Sequence, residues 1–430
     1  HMLYTVVAIV IAIALLFAWL LKPQPPCHSH VPSSKTDWTK RRTLAEAVAK
    51  EAPKTGLTYL VVGTGSVGLA LINTLLERGE KNVRGFDVRE PRRSPSSSAF
   101  TFIRGSVGDV DALTEACKGV HVVFSTFAVI KFQERLPFQY ALSHSVNVEG
   151  TENLVRACLA AGVKHLVQTS TSNVCVFADG SMSGALLDED SPQVTKETSP
   201  NHYGWTKVQA EKIVLAANGQ PLARGGGTLS TAAVRPCSAI FGPDDNFISE
   251  TWIRAGALQI ILPAPKIDYV HVDNVLWGHL LCEKALREKT EEVGGHAFCV
   301  NGGEPSRSAD DFYAAVAHFY EQATGEAMAV TRLPTRLLRV IAFAVECYQR
   351  LTQTRLVGEL GNLTPAMFAT AELSYGFSSA KAKRLLGYEP LYTVDEGLQK
   401  TTAEHFAAGN CKSSNKTMWG AAAKVAPKKA

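Results

Sequence analysis

The 430-residue sequence predicts an α/β protein built on a doubly wound parallel sheet. An apolar run at residues 59–62 is followed at once by a glycine-rich turn and then by a helical pattern. Between residue 59 and about residue 168, short apolar runs alternate with helical patterns, which is typical of βαβ units. An uncharged run at residues 2–21 precedes this region. The sequence therefore indicates a Rossmann-type lobe, a smaller C-terminal lobe and an N-terminal transmembrane helix.

The uncharged run predicts a single-pass transmembrane anchor over residues 2–22, because its length is sufficient to span a bilayer. A cleaved signal peptide is the alternative, but the segment has no basic start and no small-residue cleavage site follows it. Basic residues from Lys22 to Arg42 lie on its C-terminal side, so the positive-inside rule places the following domain in the cytosol. We expect residues 23–56 to be a tether with a short helix around residues 44–50.

The glycine-rich turn consists of Gly63, Gly65 and Gly68, with Ser66 and Val67 between the last two. Glycine permits a tight turn and a close approach of the backbone to a pyrophosphate, which lies at the positive N-terminal end of the next helix. The pattern predicts a dinucleotide-binding loop.

A carboxylate at the end of the next predicted strand, Asp87, follows the last glycine by about twenty residues. At this place a carboxylate accepts hydrogen bonds from the adenosine ribose hydroxyls, which favours NAD over NADP. The basic residues Arg89, Arg92 and Arg93 follow and offer an alternative, because they could attract a 2′-phosphate or form only a solvated loop. We expect NAD as the cofactor, with NADP as the alternative.

Tyr203 and Lys207 are spaced Tyr-x-x-x-Lys in a helical pattern. Residues four apart share a helix face, so the ammonium group is expected to lie near the phenol and lower its pKa from about 10. This spacing also occurs by chance in surface helices, but the predicted nucleotide-binding loop upstream favours a catalytic role for the pair. The pair predicts an acid/base tyrosine in a dehydrogenase that oxidises an alcohol.

These features resemble the extended short-chain dehydrogenases/reductases, and within them the 3β-hydroxysteroid dehydrogenase family, which includes the sterol-4α-carboxylate 3-dehydrogenases. The resemblance covers roughly residues 57–408. Six further stretches match that family in order, at residues 122–128, 147–153, 166–172, 234–243, 269–274 and 381–390.

The resemblance places the hydroxyl that binds the substrate oxygen on Thr171 and implies that Asn147 supports the active-site helix and its water. Ser170 and Ser172 remain rivals of Thr171, since a register slip of one residue would exchange their roles. Asn147 has the alternative role of a local helix cap.

Two departures from the family pattern bear on cofactor binding. The glycines are spaced one residue shorter than is usual in the family. Ser106 also stands where the family has an aspartate that meets the adenine amino group, so weaker dinucleotide binding is expected.

The resemblance implies a membrane-anchored NAD(P)-dependent oxidoreductase of the endoplasmic reticulum that oxidises the 3β-hydroxyl of a sterol. In a 4α-carboxysterol this oxidation creates a β-keto acid, which loses carbon dioxide without further catalytic residues. The alternatives are a 3β-hydroxysteroid dehydrogenase/isomerase, another reductase or epimerase of this type, and a nucleotide-binding subunit without catalysis. The expected partners are a lipidic substrate, a membrane, and either a second copy or a membrane complex.

Composition and motifs argue against a nucleic-acid-binding protein and against a metal site. The net charge of +4 is modest and no nucleic-acid signature or metal-ligand spacing is present, so neither nucleic acid nor a metal is expected. Nine cysteines without a Cys-x-x-Cys pattern indicate reduced thiols.

The remaining organisation follows from local patterns. We expect a nucleotide domain at residues 57–240, a substrate lobe interleaved with the sheet at 241–408, and a flexible basic tail at 409–430. Residues 179–200 predict a loop over the active site. An amphipathic segment at residues 333–348 is expected either in a membrane interface or packed on the substrate lobe.

Overall fold

The computed structural model describes residues 15–16, 18–22, 31–91, 93–224, 226–245, 248–260, 265–356 and 358–407. Its central feature is a sheet of parallel strands in the order β3-β2-β1-β4-β5-β6-β7. The strands are β1 (Thr58–Val62), β2 (Asn82–Asp87), β3 (Phe100–Arg104), β4 (Val122–Ser125), β5 (His165–Thr169), β6 (Ser230–Pro236) and β7 (His296–Val300). The strand order reverses between β1 and β4, where ligands bind in sheets of this kind. The predicted Rossmann-type sheet is confirmed.

Helices cover both faces of the sheet. The longer ones are α1 (Leu44–Glu51), α2 (Ser66–Glu77), α3 (Val110–Cys117), α4 (Gly150–Ala161), α5 (His202–Ala216), α6 (Val272–Glu288), α7 (Ala309–Thr324), α8 (Thr335–Thr352) and α9 (Val394–Ala407). In β1, Tyr59 and Val61 join a core with α2 and α6, whereas Leu60 and Val62 join a second core with α3 and α4. This alternation explains the continuous apolar run of β1, because both sides of the strand are buried.

A second lobe follows β6 and forms its own core around Phe241, Tyr269 and Phe312. Tyr269 and Phe312 stack with ring centroids 3.7 Å apart. Four pairs of short strands support this region: Ala239–Phe241 with Tyr269–His271, Ala257–Ile260 with Ala329–Arg332, Lys266–Ile267 with Arg307–Ser308, and Leu186–Leu187 with Gly376–Phe377. The chain returns to the main sheet in β7, so the lobe and the sheet are interleaved as expected.

Short helical segments connect these elements. They lie at Trp38–Lys40, Pro137–Gln139, Ala141–His144, Ser145–Glu149, Ser172–Cys175, Ile248–Ile253, Thr290–Val293, Glu359–Asn362, Pro365–Ala371 and Ala380–Leu386.

The N-terminal region contains the expected short helix, α1, which begins with a capping box between Thr43 and Glu46. The predicted anchor at residues 2–22 lies largely outside the described residues, as does the predicted basic tail. In the part of the chain that the structure describes, no helix has the length and apolarity needed to cross a membrane.

Candidate active site

The glycine-rich turn joins β1 to α2, and each of its glycines has a different environment. A Cβ on Gly68 would lie 1.9 Å from the carbonyl oxygen of Gly63, so this position requires glycine for the packing of α2 on the turn. Gly63 has a φ of +95° and lies against the backbone of Phe127. A Cβ on Gly65 would meet no atom within 4 Å. The turn is therefore tightly packed at Gly63 and Gly68, whereas the space beside Gly65, at the N-terminal end of α2, is open.

This geometry fits a dinucleotide pyrophosphate. Gly65 is the N-cap residue of α2 and makes no side-chain cap, and Ser66 and Val67 form the first turn of the helix. The backbone N–H groups of a first helical turn have no partner within the helix and carry the positive end of its dipole. The shorter glycine spacing is thus compatible with the nucleotide site that the sequence predicts.

Asp87 and Ser106 lie at the carboxyl edge of the sheet, after adjacent strands. The Asp87 carboxylate accepts hydrogen bonds from the backbone N–H groups of Thr64 at 2.8 Å and Arg89 at 3.2 Å. The Ser106 hydroxyl accepts from the N–H of Gly108 at 3.1 Å. Asp87 thus ties the glycine turn to the end of β2, and its position suits a contact with the adenosine ribose.

The two described basic residues after Asp87, Arg89 and Arg93, have different environments. Arg93 forms an exposed ion pair with Asp244 at 3.1 Å, and Arg92 lies outside the described residues. Arg89 is exposed beside Asp87. These positions favour NAD, because the carboxylate of Asp87 repels a 2′-phosphate at the expected ribose site.

The predicted catalytic residues meet at the carboxyl ends of β5 and β6. The side chain of Asn201 caps α5 by accepting from the N–H of Gly204 at 3.0 Å, so the helix begins beside Tyr203 and carries Lys207 one turn later. The Thr171 hydroxyl lies beside the Tyr203 phenol and lowers its pKa. All three residues are buried and line one cavity.

The predicted effect of Lys207 on the Tyr203 phenol is wrong for this arrangement. Burial raises the pKa of Tyr203 to about 12, and only the hydrogen bond to Thr171 opposes that shift. The Lys207 ammonium group instead donates to the carbonyl oxygen of Thr169 at 2.7 Å, and burial lowers its pKa to about 8. Helix spacing places the two side chains on one face, but the Lys207 ammonium group is directed to the Thr169 carbonyl oxygen and not to the Tyr203 phenol.

The rivals of Thr171 have other partners. Ser170 donates to the Glu211 carboxylate at 2.6 Å, and Glu211 forms a buried ion pair with Arg235. The Ser172 hydroxyl accepts from the N–H of Ser238 at 2.8 Å. The backbone and side-chain amides of Asn173 both donate to the Thr171 oxygen, at 3.2 and 3.0 Å. Thr171 therefore has the hydroxyl that is directed to Tyr203.

Asn147 lies in a π-helical turn, Ser145–Glu149, between helical segments. Its side-chain oxygen accepts from the N–H of Val129 at 2.7 Å, and its amide nitrogen donates to Val129 O and to the Thr206 hydroxyl. Asn147 is thus no cap of its own helix. It joins the loop after β4 to α5, the helix that carries Tyr203 and Lys207, as a supporting residue would.

The cavity above Tyr203 has a volume of about 760 Å³. Its lining includes the apolar side chains Ile130, Phe132, Ala239 and Ile240. Phe132 lies edge-on to Tyr203, with the ring centroids 5.4 Å apart. The expectation that residues 179–200 cover the site is wrong, since none of them lines this cavity. Part of this segment instead pairs with Gly376–Phe377.

The covering loop is residues 128–140, which sequence reasoning missed together with its anchor on His202. The His202 N–H donates to the carbonyl oxygen of Glu134 at 2.8 Å, and its ring stacks on Tyr140. Ser143 hydrogen-bonds to both the His202 ring and the Glu134 carboxylate. The position of His202 directly before Tyr203 was the available signal, but its partners are set by tertiary contacts.

Comparison with known proteins identifies relatives of this chain. The 3-beta hydroxysteroid dehydrogenase/isomerase family model matches residues 60–334. Short-chain dehydrogenase/reductase family 42E member 1 from Danio rerio is 32% identical over 356 residues, which cover 80% of this chain and 87% of the relative. The Bos taurus protein of the same name is 32% identical over 346 residues, with 77% and 84% covered.

Solved structures with lower identity share the fold. MoeE5 in complex with UDP-glucose and NAD has a TM-score of 0.59 and 23% identity, covering 82% of this chain and 99% of that one. The epimerase Mth375 from Methanothermobacter thermautotrophicus has a TM-score of 0.61 and 20% identity, covering 83% and 94%. With its glycine turn and its Thr171, Tyr203 and Lys207 cluster, the chain belongs to the 3-beta hydroxysteroid dehydrogenase/isomerase family of extended short-chain dehydrogenases/reductases, which use NAD(P).

Proposed function

We propose that the protein is a membrane-anchored, NAD-dependent dehydrogenase that oxidises the 3β-hydroxyl group of a sterol or steroid. The observation that carries this proposal is that Thr171, Tyr203 and Lys207 lie together beneath a cavity with apolar side chains. Ile130, Phe132 and Ile240 offer surface to a lipidic alcohol, while the two hydroxyl groups receive its oxygen.

Each residue then has a defined task. Asn173 donates twice to the Thr171 oxygen, so the Thr171 proton is available for the substrate oxygen or for Tyr203. With the Lys207 ammonium group and the positive charge of bound NAD nearby, the Tyr203 phenol would ionise. The phenolate would then accept the proton of the alcohol as a general base, which contributes about two to four orders of magnitude. When bound, NAD supplies the hydride acceptor. Gly65, Ser66, Val67, Gly68, Asp87 and Ser106 would hold the nucleotide, with Lys207 beside the nicotinamide ribose.

The substrate we favour is a 4α-carboxysterol. Oxidation of its 3-hydroxyl gives a β-keto acid, so carbon dioxide is lost without another catalytic group. Isomerisation of a Δ5-steroid requires a further acid/base residue. Three aspartates line the cavity, together with Glu77 and Glu404. Asp245 accepts from the backbone N–H groups of Gly242, Ile248 and Ser249, Asp244 pairs with Arg93, and Asp273 pairs with Lys400. Decarboxylation needs no further acid/base residue, which favours it over isomerisation.

The proposed setting is the cytosolic face of the endoplasmic reticulum. The uncharged residues 2–21 and the basic residues that follow support an N-terminal anchor with this orientation. A homodimer or a larger membrane complex is compatible with such an anchor.

The test is turnover by the full chain, purified in detergent. Formation of reduced cofactor would be followed with NAD and with NADP against 4α-carboxysterols, Δ5-3β-hydroxysteroids and UDP-sugars. Tyr203→Phe is expected to lower kcat by about 100- to 10,000-fold. Tyr348→Phe is a matched control, since it removes a phenol hydroxyl from an exposed position.

Each other result identifies a different function. Turnover of UDP-sugars alone would indicate an epimerase or related enzyme. Tight nucleotide binding without turnover of any alcohol would indicate a non-catalytic subunit. Sterol oxidation that is unchanged in Tyr203→Phe would contradict the assigned general base.

A further inference from the structure

The helix α8 exposes an apolar stripe to solvent. The stripe consists of Val340, Phe343, Cys347, Tyr348 and Leu351, which recur at three- and four-residue intervals. Val340 is 53% exposed, Phe343 65% and Leu351 86%. The opposite face of the helix is buried. Large apolar side chains exposed in a row on one helix mark an interaction surface.

Arginine side chains flank this stripe. Arg336 and Arg339 lie at its N-terminal end and Arg350 at its C-terminal end. The side chains of Arg339 and Arg350 are 52% and 57% exposed. Arg350 pairs with Glu346, the buried acidic residue of the helix, and Arg339 pairs with the partly exposed Glu372, so both guanidinium groups remain half exposed beside the stripe. An apolar stripe bordered by cations is complementary to the acyl boundary and the anionic headgroups of a bilayer.

A second apolar segment lies at the same end of α8. The Trp19 ring stacks under the Arg336 guanidinium group at 4.2 Å, and Arg336 also donates to the Trp19 carbonyl oxygen. The side chains of Leu15, Leu16 and Leu21 are each more than half exposed. The segment that contains these leucines therefore contacts α8 through Trp19 and Arg336, at the N-terminal end of the stripe.

The buried face of α8 holds the loop that covers the cavity. Glu346 accepts two hydrogen bonds from Arg135, at 2.8 and 2.9 Å, and Gln349 accepts one from Gln139 at 2.7 Å. Arg135 and Gln139 belong to the 128–140 loop, which also carries Phe132 against Tyr203. A direct chain of contacts thus connects the exposed stripe to the catalytic residue.

We propose that the α8 stripe lies in the interface of an anionic phospholipid bilayer and that the 128–140 loop forms the entrance through which a lipidic alcohol reaches Tyr203. The seating of α8 rests on its own surface chemistry, whereas the entrance rests on the proposed function. The occupant of the stripe is lipid rather than a second copy, because the arginines and the exposed Leu15, Leu16 and Leu21 continue the same surface.

Cys347 allows a direct test in the full chain. It is the partly exposed member of the stripe, and the other six described cysteines are buried. Cys27 and Cys411 would be replaced by serine and Cys347 labelled with a polarity-sensitive fluorophore. After reconstitution into phosphatidylcholine vesicles with phosphatidylserine, we expect a blue-shifted emission and quenching by spin-labelled lipid but not by aqueous iodide.

A matched control uses Glu115→Cys in a Cys347→Ser background, which places the label on the exposed polar side of α3. This label should be quenched by iodide only. Phe343→Glu with Leu351→Glu should restore iodide quenching at Cys347 and raise KM for a vesicle-borne sterol at least tenfold, while kcat and NAD affinity stay unchanged.

The outcomes separate the two proposals. Iodide quenching of labelled Cys347 in the reconstituted wild type would overturn the seating of α8, even if sterols are oxidised. Protection from both quenchers together with a dimeric mass would overturn it in favour of a second copy. Lipid quenching without sterol oxidation would support the seating and reject the sterol substrate. An unchanged KM in the double variant would overturn the entrance.

Discussion

The Thr171 hydroxyl is held by Asn173, which donates to its oxygen from both the backbone and the side chain. An oxygen that accepts twice retains one proton to donate. That proton is positioned for the substrate oxygen in the cavity, next to the Tyr203 phenol. The orientation of one hydroxyl by a neighbouring amide therefore favours Thr171 over Ser170 and Ser172 for the proposed catalytic role.

The first prediction separates these three positions. We expect Thr171→Val to lower kcat by roughly 100-fold, because a hydrogen bond to the developing oxyanion is lost. Thr171→Ser should stay within about tenfold of wild type, since the hydroxyl is retained. Steady-state kinetics with a saturating sterol would measure both. Ser172→Ala is the control, and a larger loss there than in Thr171→Val would show that the register is wrong.

Several individual residues were predictable from the sequence, and others were not. Thr171 was favoured because of its place after an apolar run and its resemblance to the family pattern. The pKa of Tyr203 was predicted wrongly, because spacing along a helix does not reveal burial or the carbonyl oxygen of Thr169 that binds Lys207. His202 was missed because its partner Glu134 is distant in sequence.

At the scale of single elements, the turn between β1 and α2 gives a second prediction. Gly65→Ala should leave the melting temperature nearly unchanged, since its Cβ would meet open space, but should weaken NAD binding at least tenfold. Gly68→Ala should lower the melting temperature strongly, because its Cβ would overlap the Gly63 carbonyl oxygen. Thermal unfolding and NAD titration would measure the pair. Equal effects on both quantities in both variants would contradict the assignment.

The link between α8 and the 128–140 loop gives a third prediction. Glu346→Ala removes the acceptor of both Arg135 hydrogen bonds and leaves a partly exposed guanidinium group. We expect KM for the sterol to rise five- to twentyfold while the NAD dissociation constant is unchanged, because the loop lines the substrate cavity and not the glycine turn. Glu372→Ala, which removes the partly exposed partner of Arg339 on α8, is the control. A matching loss of NAD affinity in Glu346→Ala would contradict this role.

Local elements were predicted better than the contacts between them. The order of strand, glycine turn and helix is written in consecutive residues and was confirmed, as was the short helix α1. The 128–140 loop was missed as the cover of the cavity because it is held by residues such as Glu346, which lies 211 positions from Arg135. No local sequence pattern predicts the pairing of Arg135 with Glu346.

At the scale of the whole molecule, buried imidazoles set the response to acid. Burial lowers the pKa of His165, His202, His271 and His279 to about 4 in each case. Burial raises the pKa of Asp268 to about 6, which acts in the opposite direction. The unfolded chain therefore binds more protons than the folded chain between about pH 4 and 6.5, so stability is lost as the pH falls through this range.

The fourth prediction follows from this balance. The free energy of unfolding should fall by on the order of 3 kcal/mol between pH 7.5 and 5.5. Denaturant titrations at several pH values would measure it. His279→Gln should reduce this pH dependence by about a quarter, whereas replacing the exposed His318 should leave it unchanged. A pH-independent stability would show that the buried imidazoles are protonated in the folded state or accessible to water.

The separation between the catalytic cluster and the cavity cover has a consequence for evolution and engineering. Thr171, Tyr203 and Lys207 are fixed by β5, α5 and the buried Glu211–Arg235 pair, while Ile130 and Phe132 are carried by a loop held from α8. Substitutions in the loop can therefore change which alcohol is accepted without disturbing proton transfer. Libraries aimed at new substrates should diversify residues 128–140 and leave the sheet edge untouched.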